Sequence, residues 1–146
     1  MNIKKNKIAI VGLGYVGLPL CLEFGKYFST IGYDRDKSRV ENLKKGIDLN
    51  LSSKNKKFII TKKTKFSNNL KEISNCNFYI ISVPTPIDKK KLPDLEILRN
   101  VCKEVASILK SKDVVIFEST VYPGVTEEVC VPILEKHSKL KFKNEN

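Results

Sequence analysis

The chain has 146 residues, 41% hydrophobic and 29% charged, with a net charge of +11. That is one ordinary domain's length and a globular composition, which excludes a disordered polyelectrolyte. No apolar run approaches the ~18 residues of a membrane span, and the basic N-terminus precedes too short an apolar stretch for a signal peptide, so a cytoplasmic protein without membrane association is expected.

The hydrophobic period alternates between strand-like and helix-like along the chain, the pattern of a parallel α/β sheet. Lys7 to Gly12 predicts a strand buried on both faces. Tyr15 to about Tyr27 predicts a helix with Val16, Leu20 and Phe24 on one stripe and Pro19 just past its first turn. Thr30 to Asp34 predicts the second strand. Asp36 is expected to cap a helix running to about Lys45, which Gly46 stops. Ile47 to Lys63 reads mostly as loop. A strand over Thr64 to Phe66 and a short helix capped by Ser67 follow.

Phe78 to Val83 predicts another buried strand, broken by Pro84-Thr85-Pro86. Asp94 is expected to cap a helix to about Lys110, and Val114 to Phe117 forms the next strand. After a loop from Glu118 to Gly124, a last helix containing Pro132 is predicted over Thr126 to His137. The expectation is a Rossmann-type doubly wound parallel sheet in three α/β/α layers, one domain over residues 1–146, stopping before a sixth strand. Right-handed crossovers would gather Gly12-Leu13-Gly14, Asp34, Pro84-Thr85-Pro86 and Ser119-Thr120 at one sheet edge.

Gly12-x-Gly14-x-x-Gly17 has the context that gives a glycine motif meaning: a strand before it and a helix after it. Gly12 would permit the tight turn, Gly14 the close approach of a pyrophosphate, and Gly17 close packing of helix on sheet. The phosphates would meet the N–H groups and positive dipole end of the helix. Asp34, 22 residues after Gly12, would accept hydrogen bonds from an adenosine ribose and repel a 2′-phosphate, favouring NAD over NADP. Arg35 and Arg39 blunt that argument, because an arginine there can neutralise the 2′-phosphate. Thr85, clamped between prolines, and Thr120, at the next strand end, are candidate site hydroxyls or ordinary turn residues.

Other chemistry finds little material. Cys21, Cys76, Cys102 and Cys130 are widely spaced and His137 is the sole histidine, so no metal site is expected. Lysine clusters at Lys54-Lys56-Lys57, Lys62-Lys63-Lys65 and Lys89-Lys90-Lys91 read as solvated loops. Without interleaved aromatics or a basic helical stripe, no nucleic-acid partner is expected.

Together GLGYVGLP (Gly12 to Pro19), the Asp34 strand end, SVPTP (Ser82 to Pro86) and ESTVYPG (Glu118 to Gly124) resemble the UDP-glucose/GDP-mannose dehydrogenase family. The resemblance runs over roughly residues 6 to 143. PTPID (residues 84–88) and ESTVYPGVTEE (residues 118–128) are most similar to the branch acting on UDP-N-acetylhexosamines for surface polysaccharide synthesis. It implies two oxidations at sugar C6, each using NAD, to give the uronate. It also implies cofactor contacts at Tyr15, Val16, Asp34, Arg39, Thr85 and Thr120. Tyr15 and Val16 would offer backbone N–H groups, and Thr120 would lie near the nicotinamide and the catalytic water.

The family holds its aldehyde on a cysteine in a glycine-rich segment of a downstream domain. None of the four cysteines here has such surroundings. The expectation is therefore an NAD-binding N-terminal fragment without the catalytic half, inactive alone, meeting UDP-sugar only with that half, from a homo-oligomeric parent. Two alternatives stand beside it: a separate NAD-binding or regulatory module, and another Rossmann dehydrogenase of hydroxyacyl-CoA or 6-phosphogluconate type.

Overall fold

The computed structural model of the chain describes residues 5–50, 57–87 and 93–142. Five strands, β1 (Lys7–Val11), β2 (Ser29–Tyr33), β3 (Thr64–Ser67), β4 (Phe78–Ile81) and β5 (Val114–Phe117), form one parallel sheet in the order β3-β2-β1-β4-β5. Neighbouring strands this short and apolar pair in parallel only when crossovers return the chain to the same edge. Here α1 (Gly17–Tyr27), α2 (Lys37–Lys44), a 3₁₀ turn (Leu70–Ile73) and α3 (Glu96–Ala106) make those returns, and α4 (Val131–Ser138) follows β5. The expected doubly wound α/β/α architecture is present.

Side-chain alternation along the strands builds a core on each face. Ile8, Ile10 and Ile80 point to one side, against Leu18 and Cys21 of α1 and Val40 and Leu43 of α2. Ala9, Val11, Tyr79 and Ile81 point to the other, against Leu98, Val101, Cys102 and Val105 of α3. All four cysteines are buried free thiols in these cores.

Several boundaries differ from expectation, each for a local reason. The regular ladder of α1 starts at Gly17, not Tyr15, although the Leu18 N–H already reaches the Gly14 carbonyl at 3.2 Å. Pro19 has no N–H to give the Tyr15 carbonyl, so the first turn is tied less completely. The 3₁₀ turn is capped by Asn69, whose side chain accepts from Lys71 N, not by Ser67, whose hydroxyl accepts from Asn69 N at 3.0 Å. β4 stops at Ile81, and α3 stops at Ala106 rather than Lys110. The last helix opens as a π turn over Thr126–Cys130. Pro132 crowds the carbonyl four residues back and cannot donate to it, which explains a widened register on its N-terminal side. Lys54, Lys56, Lys89, Lys90, Lys91, Asp88 of PTPID and the last four residues lie outside the described residues.

Candidate functional site

Strand register assembles the site. Val11 is paired with Tyr33 on one side and Ile81 on the other, and Ile81 with Phe117. The first residues beyond those strand ends are therefore Gly12, Asp34, Ser82 and Glu118, side by side at the edge where strand order reverses. Backbone bonds extend the pairing one step further: Gly12 N–H to Tyr33 O at 2.9 Å, Ser82 N–H to Val11 O at 2.9 Å, and Glu118 N–H to Ile81 O at 2.8 Å. Open α/β sheets bind ligands at this switch point.

The glycine turn leaves β1 through Gly12 at φ +92°, a conformation that side chains disfavour. Gly17 is required by proximity: a Cβ there would overlap the Gly12 carbonyl oxygen and the Ser82 hydroxyl. At Gly14 a Cβ would meet no atom within 4 Å, so the turn's outer surface is bare backbone beneath open space. Among the described residues neither the Tyr15 nor the Val16 N–H reaches a protein acceptor. Tyr15 itself is 78% exposed. This is a helix N-terminus with unspent donors, the arrangement that receives phosphate oxygens.

Asp34 faces the same turn. Its Oδ2 accepts the Leu13 N–H and its Oδ1 the Asp36 N–H, both at 2.9 Å. The carboxylate is thereby fixed at the rim of a cavity of about 320 Å³ that Gly12, Gly14, Asp34, Arg35, Arg39 and Asn50 also line. Val83 and Pro84 after β4, with Ile97 and Val101 of α3, supply an apolar wall. A carboxylate with spare lone pairs beside an apolar slot suits a ribose and its base.

Arg39 is placed differently from a free cation at the rim. Its Nε and Nη2 both donate to the Leu13 carbonyl, at 3.0 and 2.7 Å, and its Nη1 to Asp48 Oδ1 at 2.5 Å. Both side chains of that ion pair are about nine-tenths buried. Arg35 pairs with Glu104 of α3 at 3.5 Å, and the Tyr33 hydroxyl donates to the same carboxylate at 3.3 Å. Burial first, then the Glu104 carboxylate, push the Tyr33 phenol above its ordinary value, so it stays a donor.

Thr85 and Thr120 meet each other rather than this cavity. The Thr85 hydroxyl donates to the Thr120 carbonyl at 2.5 Å, joining the segments beyond β4 and β5. Thr85, read from the sequence as a candidate site hydroxyl or an ordinary turn residue, thus has its hydroxyl proton engaged by backbone. Ser119 adds a second tie, Oγ to Val83 O at 2.7 Å, and Ser82 Oγ donates to Gly12 O at 2.9 Å. Ser82, Asp48 and Glu104 were given no role by sequence reasoning, and Ser119 was placed at the sheet edge without one. Both serines sit inside the quoted motifs, which was the available signal. Among the described residues no His/Cys/Asp/Glu cluster could hold a metal, and no helix is long and apolar enough to cross a membrane.

Comparison with known proteins places this geometry. Residues 6–146 match the model of the UDP-glucose/GDP-mannose dehydrogenase family, NAD binding domain. The chain is 48% identical over 141 residues to a UDP-N-acetyl-D-glucosamine 6-dehydrogenase of Salmonella typhi, covering 97% of this chain and 33% of that protein. It is 44% identical over 134 residues to Protein CapL of Staphylococcus aureus, covering 91% of this chain and 31% of that one. A solved UDP-D-ManNAc dehydrogenase from Pyrococcus horikoshii superposes with a TM-score of 0.82 at 28% identity, over 93% of this chain and 33% of that one. The chain thus spans about a third of the length of the curated relatives it matches.

Proposed function

This chain belongs to the UDP-glucose/GDP-mannose dehydrogenase family, and from that premise we propose that it is the NAD-binding part of an enzyme oxidising the C6 alcohol of a UDP-N-acetylhexosamine to the uronate. The carrying observation is Asp34 tied to Leu13 N at the rim of a cavity whose floor is the bare Gly14 turn. Tyr15 and Val16 would offer their N–H groups, together with the dipole of α1, to the phosphates. Gly12 and Gly17 allow the turn to form. Asp34 takes the adenosine ribose, and Arg39 fixes the Leu13 carbonyl beneath it. Thr85 and Thr120 hold the strand ends where the nicotinamide reaches. NAD held by these residues would supply the hydride acceptor for oxidation at the sugar carbon.

The sugar's own chemistry lies elsewhere in the enzyme. All four cysteines here are buried in the cores, at most 1% exposed, and none lines the cavity, so none is placed to hold an aldehyde. UDP-sugar binding and homo-oligomer formation belong to the longer protein, and residues 1–146 act as its dinucleotide-binding domain. Names of relatives such as the Salmonella typhi dehydrogenase support the N-acetylhexosamine branch and its polysaccharide role. Four buried free thiols suit a reducing cytoplasm.

A chimera tests the assignment. Fused to the remaining two thirds of the Salmonella typhi relative, the chain is expected to yield NADH from UDP-N-acetylglucosamine, while the chain alone yields none. A folded chimera that binds UDP-N-acetylglucosamine yet reduces no NAD would refute the proposal.

A further inference from the structure

Two arginines flank the carboxylate assigned to the ribose, an arrangement that on charge alone would welcome a 2′-phosphate. Arg39 is fully engaged elsewhere, and Arg35, itself 62% exposed, has its Nε drawn toward Glu104 at 3.5 Å. Arg39 spends Nε and Nη2 on the Leu13 carbonyl, and its remaining nitrogen, Nη1, contacts Asp48 at 2.5 Å with both side chains nearly buried. Asp48 is in turn fixed, because the same Oδ1 accepts the Asn50 N–H at 2.9 Å, and Asn50 stands on the cavity wall. On the opposite rim Glu104 reaches from α3 to Arg35, and the Tyr33 hydroxyl holds Glu104 in place.

We propose that Asp48 and Glu104 are specificity-determining residues: Asp48 holds Arg39 and Glu104 offsets the charge of Arg35, so that the site reads a ribose 2′-hydroxyl and refuses a 2′-phosphate. This inference rests on the reading that Asp34 receives the ribose. Asp34 contributes direct repulsion; Asp48 and Glu104 withdraw the cations that would offset it. Asp48 acts without lining the cavity, through Arg39, and is a positioning residue in that sense.

The test is titration of the purified chain with NAD and with NADP, for wild type, Asp48→Asn, Glu104→Gln and the double variant, with circular dichroism as the check on folding. Freed arginine N–H groups form charge-assisted bonds to phosphate, so each variant is expected to raise NADP affinity relative to NAD by about 10-fold. Adding Arg35→Gln to Glu104→Gln is expected to cancel that variant's gain, which a merely structural role would not do. Glu104 is partly exposed, so its variant keeps the test decisive should Asp48→Asn fail to fold. Wild type binding NAD, with the ratio unchanged in the folded variants, overturns this inference alone. A gain that persists without Arg35 overturns it too. Wild type binding neither dinucleotide overturns the site assignment and this inference with it.

Discussion

Asp34 Oδ2 accepts the backbone N–H of Leu13 across 2.9 Å, so the acid that follows β2 and the turn that follows β1 are one mechanical unit. Moving either moves the other. The glycines, the acid and the buried arginine therefore act together, and each should fail in its own way when changed.

Gly14 and Gly17 lie three residues apart and should separate binding from folding. A side chain at Gly14 meets open space, so Gly14→Val should change stability by less than about 0.5 kcal/mol. It should still weaken NAD by about 10-fold or more, since the branched side chain would stand in the proposed phosphate site. Gly17→Ala drives a Cβ into the Gly12 carbonyl, and rigid backbone cannot yield cheaply. We expect a loss of about 3 kcal/mol, toward the upper end for overpacking. Urea denaturation and NAD titration of both variants check the pair.

The buried pair Arg39–Asp48 predicts an asymmetric mutational response. Arg39→Met leaves Asp48 charged and unpaired and strips the Leu13 carbonyl of two donors. The expected cost is about 3 kcal/mol or more. Replacing both, as Arg39→Met with Asp48→Leu, should recover part of that loss, because the stranded charge is gone while the carbonyl still lacks its partners. A denaturant double-mutant cycle measures the difference.

Buried thiols predict both silence and a pH slope. Burial pushes Cys21 up to about 12 and Cys76 to about 11 from an ordinary 9.0. Native protein should therefore react slowly with Ellman's reagent, whereas unfolded protein should release four thiols. Above about pH 9 the unfolded chain loses thiol protons that the folded chain keeps, so stability is complete below that pH and falls as pH rises toward 11 and 12. Each such thiol contributes about 1.4 kcal/mol per pH unit within its window. Cys21→Ala should flatten the alkaline fall of the urea midpoint.

What the sequence disclosed, and what it withheld, follows from the range of each interaction. The alternation of IAIV, FYII and VVIF with helical stripes made the parallel sheet readable: burial of β1 and β4 on both faces leaves continuous apolar runs, while β5 at the sheet edge is apolar without being buried. Gly12, Gly14, Gly17 and Asp34 were readable because backbone geometry restricts what such a turn admits. Asp48 was not: it lies in a stretch without hydrophobic period, and its role exists only through Arg39. Glu104 was hidden as one more charge on a helix, 71 residues from the tyrosine that orients it. The prolines were visible, but not that Pro19 would delay a regular ladder or that Pro132 would widen one into a π turn. Thr85 stood out between its prolines, yet its acceptor, the Thr120 carbonyl, becomes apparent only when β4 and β5 lie side by side.

The most direct test is calorimetric titration of NAD into the wild-type chain and into Asp34→Ala, with melting curves to establish that both are folded. One dinucleotide should bind per wild-type chain, and the alanine variant should bind about 10-fold or more weakly as the ribose loses its charged acceptor. Equal affinity in the two proteins, or no binding by a folded wild type, would contradict the account.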